Sequence, residues 1–585
     1  MQPSSSSSSS GSGGSKSVKK WGPIVAIVAV IAIIGGIVAS SGGDESESSS
    51  SDAPVDSSAP VDSSAPVDSS TTKSDQWEYP LSFDEAKEQL TDEAFNEIAW
   101  GSRCDIDRGT IAVPSYFAPN CMAPFVGDNG GATAQGVTAD EITIVHYQGP
   151  DDDPIINYIT AAIASDESNA QEREALENYI KYYETYYELY GRKVNLITYV
   201  STGFANDEVT ARADAQRIVE EYAPFVVVGG PTLTNAFNDE LAARKTTCMC
   251  GGGTAQYLAE RDPYLWALDA SAEQKQQLVV EYIQKQLVGK PASHAGDALK
   301  GEIRKFALTY VEGGSESKDL ADLAATRMAA IGADLELVLP YVLDPGTIQA
   351  SASQIIAKLK EAGVTTVWLA TDPVAPGVLT REATVQEYYP EWLVGANTLT
   401  DTNAFARSYD QAQWAHAFGV STLAVKMNPE KTGYRVIYEW FTGEQVPNPD
   451  GIAVLMPGFE LLFAGIQATG PNLTHQALGD IFKSAETTPA LTQPYLSWGD
   501  RGLWEDMDYS GVDDITLFWW DPTATGMDEL RKEGTGMMQY VDGGRRYLLG
   551  EIPTEDKMFV REGAVAMYDT PPAEETPPSY PSPAG

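Results

Sequence analysis

The run ARADAQRIVEEYAPFVVVGGPTLTNAF, residues 211–237, decides the fold. Its first half completes a helix, DEVTARADAQRIVEEY. Phe225 to Val228 then form an apolar, β-branched stretch of the kind expected for a parallel strand buried on both faces. The turn Gly229 to Thr234 follows and opens a second helix, TNAFNDELAARK, which leads to a short strand at 246–249. Upstream, the strand Ile142 to Tyr147 (ITIVHY) precedes a long helix, ALENYIKYYETYYELYG, expected to end at a C-capping Gly191, and then a strand from Val194 to Val200. Tyr179, Tyr182, Tyr183, Tyr186 and Tyr187 share one face of that helix and read as packing.

The same alternation restarts after Leu268. A helix (AEQKQQLVVEYIQKQLVG) leads to a strand from Arg304 to Tyr310, and SKDLADLAATRMAAIG to a strand from Leu335 to Leu339. SASQIIAKLKEAG leads to a strand from Thr366 to Ala370, and ITLFWWDP, with Trp519 and Trp520, reads as one more buried strand. Strand–helix alternation at this spacing specifies a parallel, doubly wound sheet, and two tandem runs specify two α/β lobes. In open α/β sheets ligands bind beyond the carboxyl ends of the strands, so residues just after each strand are the candidates for contact.

The order GVTADEITIVHY, the 211–237 run, PYLWALDAS, RKFALTY, IGADLELVLPY and IIAKLKEAGVTTVWLA resembles the extracytoplasmic solute-binding proteins of the branched-chain amino acid (Leu/Ile/Val-binding) ABC transporter type, over roughly residues 136–525. That resemblance implies a type I periplasmic-binding-protein fold: two doubly wound lobes joined by three crossover strands and closing on a small ligand. Lobe one would comprise 139–268 plus 398–490, and lobe two 270–396 plus 491–560.

A zwitterionic ligand needs donors for its carboxylate and an anion for its ammonium. Gly230, Thr232 and Thr234, and Gly253 and Thr254 after the next strand, form Gly- and Thr-rich turns whose amides and hydroxyls suit an anion. By the resemblance they match the loops that hold the ligand carboxylate, and Asp372 matches the acidic residue that takes the ammonium. Glu312 to Ser317 (EGGSES), including Glu312 and Ser315, stands where many relatives have a Tyr-Gly pair, which implies a more polar site. Gln148 and Asp151 are further candidates. Each has a structural alternative: the Gly-rich turn and Thr254 as helix caps, Asp372 as a turn former before Pro373, and Glu312 as a solvated side chain.

Ahead of this region, WGPIVAIVAVIAIIGGIVAS (21–40) is apolar and uncharged, and Lys16, Lys19 and Lys20 precede it. A membrane-crossing helix needs roughly 20 apolar residues. Lysines on the short side place the N-terminus in the cytoplasm, so the remainder is expected outside, anchored at the cell membrane by a single pass. A cleaved signal peptide with a site near Ala39 is the alternative. Residues 1–20 read as a disordered tail. Residues 41–74, with APVDSS three times, read as a disordered spacer that no core can form from. Residues 75–138 are a cysteine-containing lead-in with one helical stretch (SFDEAKEQLTDEAFNEIAW), and 570–585 a second disordered tail.

The formal net charge of -44, from 83 acidic and 39 basic residues, argues against nucleic-acid binding, which requires a basic footprint. Cys104 and Cys121 flank a Pro-containing loop and are expected to pair, as an oxidising environment permits. Cys248 and Cys250 fit either two small half-buried residues at a strand end or a local disulfide. The four histidines are isolated in sequence, and no GxSxG, HExxH or GxxxxGK[ST] motif occurs. No enzyme, metal site or cofactor is expected. Asn472-Leu473-Thr474 is a glycosylation sequon by pattern alone. The expected partners are a small amino-acid-like ligand, the permease subunits of an ABC importer, and the membrane. A sensory ectodomain of the same fold and a surface adhesion protein without a pocket are the alternative functions.

Overall fold

The computed structural model describes residues 77–585, except 165, 166, 232, 314, 398, 432 and 486, and omits the side chain of Ser315. The expected cytoplasmic tail, membrane anchor and spacer (1–74) lie outside the described residues.

The lead-in folds on its own small core of Leu81, Phe83, Ala86, Ile98, Trp100, Cys104, Cys121 and Ala123. The single helix expected there is two: α1 (Phe83–Gln89) and α2 (Asp92–Glu97). Ser82 and Glu85 cap α1 reciprocally, and Thr91 accepts from the Ala94 N–H to start a new helix where the first stops. A hairpin of β1 (Cys104–Asp105) and β2 (Thr110–Ile111) follows, and a disulfide joins Cys104 to Cys121. Arg103 pairs with Glu188, which also accepts from the Phe125 N–H at 3.3 Å, so the lead-in is docked onto lobe one.

Lobe one contains β3 (Glu141–Gln148), α3 (Pro154–Ile159), α4 (Asn169–Tyr186), β4 (Lys193–Val200), α5 (Glu208–Tyr222), β5 (Val226–Val228), α6 (Ala236–Ala243), β6 (Thr247–Met249) and α7 (Ala255–Ala259). Its strands run parallel in the order β4-β3-β5-β6. Asp207 caps α5 through the Thr210 N–H, and Ala223 ends it in the left-handed conformation just before Pro224. The chain then enters β5, whose three valines are buried. The tyrosines of α4 pack into the lobe-one core with Tyr434, Tyr438, Phe459 and Phe463, Tyr183 stacked on Phe463 at 4.0 Å between centroids. That helix does not reach Gly191. It stops at Tyr187, which is extended, and the Glu188 carboxylate accepts from the Tyr190 N–H at 2.9 Å, favouring a turn over another helical bond.

Lobe two contains α8 (Ala272–Tyr282), β7 (Phe306–Val311), α9 (Ser315–Ala330), β8 (Leu335–Tyr341), α10 (Ile348–Glu361), β9 (Thr366–Ala370), α11 (Ala375–Val385), β10 (Glu391–Gly395), α12 (Asn403–Ala406), α13 (Gln411–Trp414) and β11 (Ala417–Ser421). The chain returns to lobe one for α14 (Gly433–Thr442), α15 (Pro449–Thr469) and α16 (His475–Ser484), and crosses again for β12 (Asp514–Met527), β13 (Glu533–Tyr540) and β14 (Arg546–Leu548). The second sheet has the order β13-β12-β11-β10-β9-β7-β8, with β14 against β12.

Two expectations are corrected here. Residues 399–425 do not belong to lobe one, because β11 pairs in parallel with β10 and Leu399, Phe405, Trp414 and Val425 pack in the lobe-two core. The sheet is also parallel only from β8 to β11: β12, carrying Trp519 and Trp520, runs antiparallel to β11, β13 and β14. Buried at the start of β10, Glu391 is held by Arg304 (2.8 and 2.9 Å), Thr366 Oγ1 (2.7 Å) and the His294 N–H (3.0 Å).

Among the described residues only α15 is long and apolar enough to cross a membrane, and 72% of its most apolar window is buried. It is the central core helix of lobe one, enclosed by α4, α16 and the first sheet. The final residues, expected to be unstructured, are laid on the body. Glu575 accepts from the Leu491 N–H at 2.7 Å, Trp440 donates to the Tyr580 carbonyl at 3.1 Å, and Tyr580 Oη donates to Asp105 at 2.6 Å.

Candidate functional site

Both sheets aim their carboxyl ends at one cavity of about 560 Å³ between the lobes. This lies within the volume range of small-molecule sites. From lobe one it is lined by the ends of β3, β4, β5 and β6, and from lobe two by β7, β9, β10 and the start of α9. Gly229 turns the chain out of β5 at φ +80, and a Cβ there would meet the Tyr147 carbonyl at 2.8 Å. A Cβ on Gly395 would lie 2.2 Å from Trp368 Nε1, so glycine is what admits the indole to this wall.

The structure brings together most, but not all, of the residues expected at the site. Gly230, Thr234, Gly253, Thr254, Gln148 and Asp372 all line the cavity, and Thr232 lies outside the described residues. Thr254 also serves as the cap of α7, accepting from the Tyr257 N–H (3.2 Å), and Thr234 accepts from the Ala236 N–H (3.1 Å) in the turn before α6. A hydroxyl that accepts retains its own O–H to donate. Gln148 is engaged on its own lobe: its amide donates to Glu172 (2.6 Å) and the Asn169 carbonyl (3.2 Å), and its oxygen accepts from Arg173.

Asp372 is buried, and its carboxylate already accepts from the N–H groups of Val374 (2.7 Å) and Ala375 (3.0 Å) and from Tyr341 Oη. Burial pushes its pKa up, while these donors pull it down. Glu312 is corrected: it is exposed and off the cavity wall, because the chain leaves the sheet there with its N–H on the Tyr341 carbonyl at 2.7 Å. Asp151 is likewise exposed and does not line the cavity. Ser315 opens α9, and the carboxylate that does line the cavity from that turn is Glu316.

Three groups on the wall lack partners, and two of them, on His146 and Trp368, escaped the sequence reading. His146 Nδ1, Trp368 Nε1 and Thr371 Oγ1 are buried polar atoms without a hydrogen-bond partner in the structure. Unpaired buried polar groups are costly and uncommon. Burial pushes the His146 pKa down to about 4, so the ring is neutral at physiological pH; its Nε2 lies 3.6 Å from Glu172. Thr371 follows β9 directly, in the strand-end position where the sequence places candidates. His146 and Trp368 lie inside strands, where composition reads them as core. Cys250, disulfide-bonded to Cys248, also borders the cavity.

A profile described as periplasmic binding protein matches residues 155–512, more than half of the chain. No curated protein matches. Among solved structures the chain is similar to an ABC transporter solute-binding protein of Rhodopseudomonas palustris in complex with 4-hydroxybenzoate, at 13% identity and TM-score 0.48, over 68% of this chain and 97% of that one. It is also similar to a leucine-, isoleucine-, valine-, threonine- and alanine-binding protein of Brucella ovis in its closed conformation, at 12% identity and TM-score 0.47, over 74% and 100%. A third is an ABC transporter substrate-binding protein of Desulfitobacterium hafniense in complex with Leu, at 12% identity and TM-score 0.43, over 70% and 100%.

Proposed function

The chain belongs to the periplasmic binding protein family, and on that premise we propose that it is a membrane-anchored solute receptor. It captures one small polar molecule, an amino acid or a related amide or carboxylate, outside the membrane and passes it to the permease subunits of an ABC importer.

The observation that carries this reading is the set of buried side chains with unpaired polar atoms that line one cavity from two lobes: His146 from lobe one, Trp368 and Thr371 from lobe two. A solute oxygen that satisfies atoms on both lobes binds the closed arrangement better than the open one. That difference is what drives closure. The free O–H groups of Thr234 and Thr254 suit the ligand's carboxylate or carbonyl end. Asp372 is committed to Tyr341 and α11, so the ammonium role passes to Glu316. Tyr147, Tyr310 and Trp368 supply an aromatic wall for the ligand's body.

The test is a thermal-shift screen of the full-length chain against amino acids, short amides and small carboxylates. A ligand at about 100 times its dissociation constant stabilises by roughly 2.7 kcal/mol. A hit weakened by both Thr234→Val and Glu316→Gln supports solute capture with the assigned ends. A folded protein with no hit across the panel rejects capture in favour of a sensory or adhesive role. A hit indifferent to both substitutions rejects the assigned contacts.

A further inference from the structure

The chain crosses between the lobes ahead of α8, ahead of α14 and ahead of β12. These are the three crossovers of the fold. Its final residues make a fourth passage, from lobe two back to lobe one.

Lobe two holds the near end. Val565 and Tyr540 of β13 exchange backbone hydrogen bonds at 2.8 and 3.0 Å, and Tyr568 Oη donates to the Gly543 carbonyl at 2.9 Å. Tyr568 also pairs with the second crossover. Its N–H donates to the Lys426 carbonyl and its carbonyl accepts from the Asn428 N–H, both at 2.8 Å. Asp569 accepts from Asn428 Nδ2 (2.8 Å) and Lys431 Nζ (2.9 Å).

Lobe one holds the far end. Trp440 of α14 donates to the carbonyls of Tyr580 and Pro581, each at 3.1 Å, and its own carbonyl accepts from Ser582 Oγ at 2.6 Å. Tyr580 Oη donates to Asp105 at 2.6 Å, in the hairpin braced by the Cys104–Cys121 disulfide. Midway, Glu575 is 6% exposed. Its carboxylate accepts from the Leu491 N–H (2.7 Å), the Thr492 N–H (3.2 Å) and the Thr492 hydroxyl, in the loop after α16. A carboxylate is buried only where donors meet it, so this anchor is specific.

Between the end anchors, residues 569–579 read DTPPAEETPPS, with four prolines in 11 residues. Proline fixes φ and favours extended chain of ~3.1 Å per residue, a semi-rigid spacer. Such a spacer has little slack, so rotation of one lobe against the other must either strain it or break an anchor.

We propose that residues 569–582 are a strap that restrains rotation of lobe two against lobe one. It rests on the two-lobe closure proposed above. By narrowing the open ensemble, the strap reduces the ordering that closure on a solute must supply.

The test measures the interlobe distance in the empty full-length chain by double electron–electron resonance. Nitroxide labels go on Val209→Cys of α5 and Val342→Cys after β8, both exposed; the four native cysteines are paired. One variant ends the chain after Asp569. A second keeps every anchor but inserts about 12 Gly and Ser residues, a flexible coil, between Thr576 and Pro577. Both should broaden the distance distribution by about 3 Å or more, one residue of extended chain. The proposal is overturned if the shortened chain keeps the full-length distribution. It is equally overturned if the insertion does so, because the segment would then act by packing and not as a tether. Should the shortened chain fail to fold by circular dichroism, the insertion alone decides. No solute is added, so the thermal-shift screen judges solute capture separately, and either reading can fail without the other.

Discussion

Thr371→Val separates a ligand contact from a structural one. Thr371 is buried, lines the solute cavity, and has a hydroxyl without a partner. Valine keeps its shape and removes the hydroxyl. A buried hydroxyl lacking a hydrogen bond costs ~1–3 kcal/mol, so the empty protein should gain about 1 kcal/mol. At ~2.1 cal/mol/K of unfolding entropy per residue, over roughly 500 folded residues, this raises Tm by about 1 °C. With ligand the order should invert. If the lost bond weakens binding about tenfold, a concentration giving the wild type ~2.7 kcal/mol gives the variant only ~1.4 kcal/mol. That loss exceeds the gain. Differential scanning calorimetry with and without the screened ligand reads both effects. Thr366→Val is the contrast, because its Oγ1 donates to buried Glu391 at 2.7 Å; it should cost ~1–3 kcal/mol in either condition. The reasoning is refuted if Thr371→Val destabilises the empty protein as Thr366→Val does, or if ligand stabilisation is undiminished.

Arg304→Leu should be severe, since it strands Glu391 as an uncompensated buried charge; loss of one partner of such a pair costs about 3–5 kcal/mol, read as a lowered midpoint in urea unfolding. Replacing Cys104 and Cys121 together with alanine reopens a loop of sequence separation 17 and should cost about 3 kcal/mol, with faster hydrogen exchange over residues 77–123 and little change in lobe two. His146 gives a pH signature. Its pKa is about 4 in the folded protein and about 6.5 unfolded, so its contribution is fully present above pH 6.5 and is lost as pH falls toward 4, by about 3 kcal/mol in all. The difference in stability between wild type and His146→Gln, measured by urea unfolding from pH 7 to 4, should shrink across that window; a flat difference would show that the ring is not held neutral.

The strands were legible because a parallel strand buried on both faces must be a continuous apolar run: Phe225–Val228 and Thr366–Ala370 announce themselves without neighbours. Elements whose limits depend on distant partners were not. The stop of α4 before Glu188 reflects bonds to Arg103 and Phe125 of the lead-in. The placement of β11 reflects its pairing with β10, not its local composition. At the site, Gly- and Thr-rich turns after strands are a local signal, and Gly230, Thr234, Gly253 and Thr254 do line the cavity. The commitment of Asp372 to Tyr341, from the end of β8 with β7 between the two strands, is not local. Nor is the lack of partners around His146 and Trp368, which only the assembled lobes define.

The lead-in and the C-terminal residues meet on the same lobe, through Tyr580 and Asp105, with Trp440 of α14 beneath. Lobe two therefore carries neither end of the described chain. A fluorescent protein fused after residue 585 would ride with lobe one and stay blind to hinge rotation. To become a sensor, this molecule needs its reporter spliced into lobe two, and the exposed turn at 342–347 between β8 and α10 offers a place where the insertion interrupts no strand.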